Sequence, residues 1–326
     1  RRTAVTDIVP PPAGRSPGRI EALDAARGLA LATMAVYHFS WDLKWFGVVD
    51  WPVDSAVGWR AFAMSIAASF LFLVGVGLAL AYREGLRPRH ALWRAGRIAL
   101  AAAAISLATY AALGDQYVRF GILHAIAAGS LLALPALRAP LWLVTGLALA
   151  ALALPHLVSV SFPGDAWLMW SGLVAAPPLS VDYVPLLPWI APIFAGIVAA
   201  RVGLATGVFA RLSHWTARGG PARLAALAGR HSLLVYLLHQ PILFGLVWTA
   251  ASLGLTPDRA AATFVEQCVQ SCTLTGEEAA CRSTCSCTVE ALQADGTWAA
   301  LLARPDDPAL NDRLAERYRL CRDQAQ

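Results

Sequence analysis

Charge is scarce in this sequence. Of 326 residues only 14% are Asp, Glu, Lys or Arg, against about 25% in soluble proteins. Hydrophobic residues reach 57%. From residue 28 to 254 the chain is a succession of apolar runs, each roughly 20 residues long. Such runs exclude an ordinary soluble domain, whose core needs no series of nearly charge-free stretches. They exclude intrinsic disorder over the same region. Cysteine is missing from every position before Cys268, and histidine from every position after His239. The period-two alternation of a membrane barrel is absent, so helices are the expected spans. There is no P-loop, no G-x-S-x-G, no H-E-x-x-H and no dinucleotide fingerprint. No cleavable signal peptide is visible, because no A-x-A-like site follows a short apolar run. The opening Arg1-Arg2 is not a natural translation start, which predicts an N-terminus that has been cut back.

What is present predicts an all-α polytopic membrane bundle. Seven helices are expected, near 28–48, 57–81, 93–113, 117–137, 140–160, 184–204 and 231–254. The basic residues set the orientation. Segments 1–27, 82–97, 138 and 201–230 hold 16 Lys+Arg, whereas the alternate loops and helix ends hold only Lys44, Arg60 and Arg119. The positive-inside rule therefore places the N-terminus in the cytoplasm and, after seven crossings, the tail outside. Three parts follow: a cytoplasmic segment 1–27, a transmembrane domain 28–254 and an extracytoplasmic tail 255–326. The expected location is the inner (plasma) membrane, with a periplasmic tail. Residues 1–254 carry 19 basic and 10 acidic residues, and the tail 7 and 11. The two bodies thus have opposite net charge.

The tail holds Cys268, Cys272, Cys281, Cys285, Cys287 and Cys321. Two C-x3-C pairs each occupy one helical face. An antiparallel helical hairpin could close Cys268–Cys285 and Cys272–Cys281, leaving Cys287 and Cys321 for a third bridge. Other connectivities stay open. An even count in an exported segment favours disulfides; a zinc site is the rival, without a tail histidine to serve it.

Polar residues inside a bilayer are costly and each raises a functional hypothesis. The first helix holds a stripe of them: Asp24, Arg27, His38 and Asp42. Arg27 and His38 are 11 residues apart, about three turns or 16 Å along one face. A cation near the cytoplasmic mouth and an imidazole at mid-depth suit a site that grips an anion and moves a proton. An interfacial Asp24–Arg27 ion pair and a His38–Asp42 packing contact form the simpler account. His239, in Tyr236-Leu-Leu-His239-Gln-Pro241, falls near mid-depth of the last span, and Pro241 frees a backbone carbonyl there. His124 and Arg119 lie near the outer end of the fourth span. The loop 161–183 carries Asp165, Trp167, Trp170 and Asp182, a set that suits interface anchoring or sugar binding. The cytoplasmic arginines, Arg94 among them, face anionic lipid, and a subset could hold phosphates.

Five ordered blocks then point to a family. They are Arg19-Ile-x-x-Leu-Asp24-x-x-Arg27-Gly with Tyr37-His38-Phe and Asp42-Leu; Ser69-Phe-Leu-Phe-Leu-Val-Gly75; Arg119-Phe-Gly-Ile-Leu-His124; Asp182-Tyr-Val-Pro-Leu-Leu-Pro188-Trp189; and Gly229-Arg-His-Ser-Leu-Leu-Val-Tyr-Leu-Leu-His239-Gln-Pro241. Over about 20–245 the chain resembles the bacterial membrane proteins of the heparan-α-glucosaminide N-acetyltransferase catalytic family. Arg27-x10-His38 also resembles the R-x10-H signature of the wider membrane acyltransferase superfamily. The resemblance implies transfer of an acyl group, commonly acetyl, from an acyl-CoA donor to a sugar or other extracytoplasmic acceptor. It implies no tightly bound cofactor. His38 would be base or acyl carrier, with Asp42 and His239 beside it in the catalytic set; Arg27, Asp24, His124 and Arg119 would bind or orient the donor. Expected partners are the bilayer, acyl-CoA and the acceptor, with no nucleic acid. A b-type haem held by His38 with His239 or His124, and a solute transporter using the same buried charges, are the competing readings.

Overall fold

The computed structural model describes residues 19–161, 165–176, 178–256, 258–274 and 276–325. Arg1-Arg2 and most of the segment 1–27 lie outside the described residues. Among those described there are thirteen α-helices and no strand, only the isolated bridges Phe120–Tyr183 and Val160–Val174. The all-α expectation holds. The chain divides into two compact units. One takes the chain up to Ser40 with Pro52–Leu243, and the other Trp41–Trp51 with everything from Phe244 onward.

The first unit is built on α1 (Glu21–Trp45, its last turn excepted), α2 (Val57–Ala81), α3 (Pro88–Leu113), α4 (Ile122–Leu132), α5 (Leu141–Leu157), α6 (Leu186–Ala205), the short α7 (Val208–Ser213), α8 (Gly220–Arg230) and most of α9 (Ser232–Ser252). Among the described residues four helices are long and apolar enough to cross a membrane by length and composition: α2, α3 with its 3-10 extension to Gln116, α6 and α9. α5, at 17 residues, and α4, at 11, are shorter. α3 and α9 turn Leu92, Trp93, Leu100, Leu107, Leu238, Ile242 and Leu246 outward. Apolar helices with outward leucines fit a lipid surround and not water. With the family reported below, they make this a multi-pass membrane protein.

α4 departs from the sequence expectation. A continuous helix over 117–137 was predicted, yet residues 117–121 are not helical and the helix begins only at Ile122. The cause is a built N-terminus. The Asp182 carboxylate accepts the Ile122 N–H at 3.0 Å, and His124 Nδ1 accepts the Gly121 N–H at 3.2 Å. Both satisfy donors that a helix start otherwise leaves orphaned. Pro135 then opens a separate 3-10 turn. At 1.5 Å per residue, α4 is only about 16 Å long.

The core lies where α2, α4, α5 and α6 meet, with Leu71, Leu78, Val144, Ile193 and Ile197 buried. Gly75 and Gly196 set the α2–α6 approach. A Cβ on Gly75 would strike the Ile193 carbonyl, and one on Gly196 the Phe72 carbonyl. Small residues at such crossings let backbones touch within a membrane. A second cluster, Leu31, Met34 and Ile66 with Tyr37, Phe62 and Tyr236, binds α1 to α2 and α9 near the histidines.

The second unit contains α10 (Arg259–Cys272), α11 (Glu278–Ala294), α12 (Thr297–Ala303) and α13 (Pro308–Ala325). Disulfides join Cys268–Cys285, Cys272–Cys281 and Cys287–Cys321, with Cα separations of 6.0, 5.7 and 5.8 Å. The hairpin arrangement read from the C-x3-C spacing is the one found, and the zinc alternative falls away, since all six sulfurs are bonded. Asp258 caps α10 through the Ala261 N–H at 3.0 Å. Its other oxygen takes Trp298 Nε1–H at 2.8 Å and Gln293 Nε2–H at 2.9 Å. These hydrogen bonds outweigh the opposing effect of burial and hold the Asp258 carboxyl below its usual range. Leu292, Trp298 and Leu310 form the small core. The 41–51 segment joins this unit through the Arg259–Asp50 ion pair and a 3.2 Å bond from Arg259 to the Lys44 carbonyl.

Candidate active site

α1 supplies the first residues. Glu21 and Asp24 occupy its first turn, where carboxylates suit the positive end of the helix. Asp24 is buried and doubly paired. It accepts Arg19 Nε–H at 2.6 Å on one oxygen and Arg27 Nη1–H at 3.1 Å on the other. The interfacial pair expected from the sequence is therefore present, and it fixes the direction in which Arg27 points.

Three turns further along, His38 meets His239 of α9. Their ring centroids are 5.1 Å apart and the rings tilt by 59°. Tyr37 and Tyr236 flank the pair at 5.7 Å from His38 and 5.6 Å from His239. Two histidines separated by 200 residues in sequence thus share one spot. They touch directly, whereas axial ligands of a haem would stand on opposite sides of a macrocycle.

The hydrogen bonding of His239 decides its chemistry. Its Nδ1 lies 2.6 Å from the Tyr236 carbonyl oxygen. A carbonyl can only accept, so Nδ1 carries a proton, and in the neutral ring Nε2 keeps its lone pair. That Nε2 is buried, with no hydrogen-bond partner among the described residues. A neutral imidazole held by one nitrogen, with the other bare, is the form a general base needs. The tether is local, because Tyr236 and His239 are three residues apart on one helix. Pro241, inside α9, removes a backbone donor close by.

Arg119 and His124 stand at the start of α4. His124 caps Gly121 and stacks near Phe120, with centroids 5.4 Å apart. Arg119 lies over the Tyr117 ring at 4.5 Å and donates to the Asp115 carbonyl at 3.1 Å. Both serve the local backbone, and these contacts do not reach the histidine pair. Asp42 is buried in the last turn of α1, within the second unit. In the loop before α6, Trp167 and Trp170 of a 3-10 turn are exposed, as interface anchors would be. Asp182 instead does structural work at the start of α4. Burial pushes its carboxyl pKa up, opposed by the hydrogen bond from Ile122.

The structure adds contacts that spacing alone did not show. Tyr236 orients His239 through its backbone, and the Tyr-x-x-His spacing was its only signal. Arg94 and Gly77 flank Arg27, treated below. A cavity of about 1070 Å³ between α1, α2, α5 and α6 is lined by residues such as Leu29, Phe62, Phe72, Leu149 and Val198. Of the hydroxyls on its wall, those of Thr33, Ser65 and Ser69 are turned to carbonyls of their own helices. The cavity is apolar, and neither histidine lines it.

No curated protein and no solved structure gives a match to this chain. One family model does, that described as heparan-alpha-glucosaminide N-acetyltransferase, catalytic, over residues 19–241. The matched stretch opens at the Arg19–Asp24–Arg27 cluster, runs through His38 and closes just after His239. On a match that covers well over half of its length, the chain belongs to the heparan-α-glucosaminide N-acetyltransferase catalytic family.

Proposed function

We propose that this protein is a membrane acetyltransferase that takes the acyl group of an acyl-CoA and passes it to a sugar or other acceptor, with His38 and His239 as the reacting pair. One observation carries the reading: the His239 imidazole, tethered through Nδ1, presents an unpartnered Nε2 beside the His38 ring. Family membership supplies the reaction class.

The chemistry follows from those atoms. An acceptor hydroxyl or amine gives its proton to an imidazole as its oxygen or nitrogen attacks the thioester carbonyl carbon. The tetrahedral intermediate then expels the thiolate, which takes the proton back from the imidazolium. Two adjacent imidazoles divide that work, because a proton on one ring disfavours a proton on the other. Histidine suits the task near neutral pH without heavy tuning. Asp42, four residues beyond His38 on the same helix, is kept in the set on sequence spacing alone. Arg27 orients the donor from the basic side. A multi-pass arrangement with the N-terminus inside and the tail outside an inner membrane would bring donor and acceptor from opposite faces.

Membranes carrying the protein, incubated with radiolabelled acetyl-CoA, should yield an acetylated product whose identification names the acceptor. The same membranes with His38→Ala should not. Wild-type turnover in that variant would remove His38 from the mechanism.

A further inference from the structure

Arg27 of α1, given above the task of orienting the donor, and Arg94 of α3, which the proposed reaction does not use, meet over Gly77 of α2. Arg27 spends one edge of its guanidinium on Asp24 through Nη1. Its Nη2 points elsewhere, to 3.2 Å from the place a Cβ on Gly77 would occupy. Arg94 Nη2 reaches to 3.9 Å from that same point. The two terminal nitrogens therefore converge over a residue with no side chain, no further apart than those two distances together. Arg94 makes no hydrogen bond or ion pair among the described residues. Among the described residues the one carboxylate paired with either guanidinium is Asp24, and Asp24 already serves Arg19 as well.

Like charges held together in a membrane segment are costly unless something of opposite sign joins them. Paired guanidiniums present donors in forks that match the oxygens of a phosphoryl group. Gly77 puts no side chain between the two guanidiniums. The geometry points to Arg27 and Arg94, converging over Gly77, as a subsite for a phosphoryl group. Two sources share that chemistry: the phosphates of a coenzyme A donor, which rests on the acyltransferase reading, and the headgroup of an anionic lipid, which does not. Arg94 is then more than one of the positive-inside arginines, since its guanidinium is directed at Arg27 and Gly77.

The test measures binding, not turnover, so it is independent of catalysis. The full chain is placed in phosphatidylcholine nanodiscs with and without phosphatidylglycerol, and coenzyme A is titrated by calorimetry. Retained lipid is counted by native mass spectrometry. Loss of a charged hydrogen-bonding partner should weaken binding roughly tenfold to a hundredfold. If the source is the donor, Arg94→Gln weakens coenzyme A by that factor in both discs, and Arg94→Lys weakens it less. If the source is lipid, Arg94→Gln leaves coenzyme A unchanged and abolishes retained phosphatidylglycerol. Gly77→Ala, which keeps both charges and a good helix former, should reduce whichever binding is seen by crowding Arg27. Either pattern supports the subsite, even if acetyl transfer is never detected. Unchanged coenzyme A affinity together with unchanged phosphatidylglycerol retention in Arg94→Gln and Gly77→Ala overturns it, even if the acetyltransferase reading stands.

Discussion

Replacing His38 and His239 by asparagine, singly and then together, asks whether the two rings act as one device. Losing a general base costs about 10²–10⁴ in rate, or roughly 3–5.5 kcal/mol at 1.36 kcal/mol per decade. Two independent residues in the middle of that range would cost about 10³ each, and about 10⁶ together. The structure argues against independence. The rings are 5.1 Å apart, and a proton moved by one is felt by the other. Once either ring is gone the relay is broken, and removal of the second has little left to remove. The double variant should therefore fall no further than about tenfold below the worse single one. The assay is thiol release from acetyl-CoA by nanodisc-reconstituted protein, with retained helicity checked by circular dichroism. A double variant that shows the full product of the single losses refutes the shared site. Single losses below about tenfold in both variants refute a base role for the pair.

Asp258→Ala removes the α10 cap and the partner of Trp298, and should destabilise the tail by about 1–2 kcal/mol; faster hydrogen exchange in α10, with α2 unchanged, reports it. The carboxyls of Asp258 and Asp295 are both held below their usual range, Asp295 by hydrogen bonds from Thr297 and Arg317. Their contribution is full above the unfolded carboxylate pKa of about 3.9 and is lost as pH falls through the folded value. Acid should thus loosen the tail below about pH 4, seen as α10 exchange that rises there and not between pH 5 and 7. Cys287→Ser with Cys321→Ser opens a 34-residue loop, worth about 3.5–4 kcal/mol of chain entropy; a tail whose denaturant midpoint is unmoved would contradict that. Gly75→Leu would press a side chain into the Ile193 carbonyl, and should lower the melting temperature or abolish monodisperse protein.

The features legible in the sequence are those set by short spacing. Cys268/Cys272 and Cys281/Cys285 each sit one turn apart, so the bridged hairpin of α10 and α11 could be written down from the chain alone. The same holds for the Asp24–Arg27 pair, three residues apart. Features set by distant partners were not legible. α4 starts at Ile122 because Asp182, 60 residues later, meets its first N–H. His38 and His239 had each been singled out, but their contact depends on how α9 packs against α1, which no periodicity encodes. Arg94 was hidden by its company: a subset of the cytoplasmic arginines could hold phosphates, and only the convergence over Gly77 separates one of the five basic residues in 82–97 from the rest.

All three bridges are made from residues that follow α9, and this gives the molecule a timetable. A ribosome reading residues 1–326 delivers the apolar helices from α2 to α9 before Cys268, so within this stretch no thiol is present while they are being made. Of the three pairs, Cys272–Cys281 is completed earliest in synthesis, Cys268–Cys285 four residues later, and Cys287–Cys321 only near the end of α13. In sequence order the bridges are therefore nested from the tip of the hairpin outward, with the third joined on last, and all of them lie on the C-terminal side of the apolar helices.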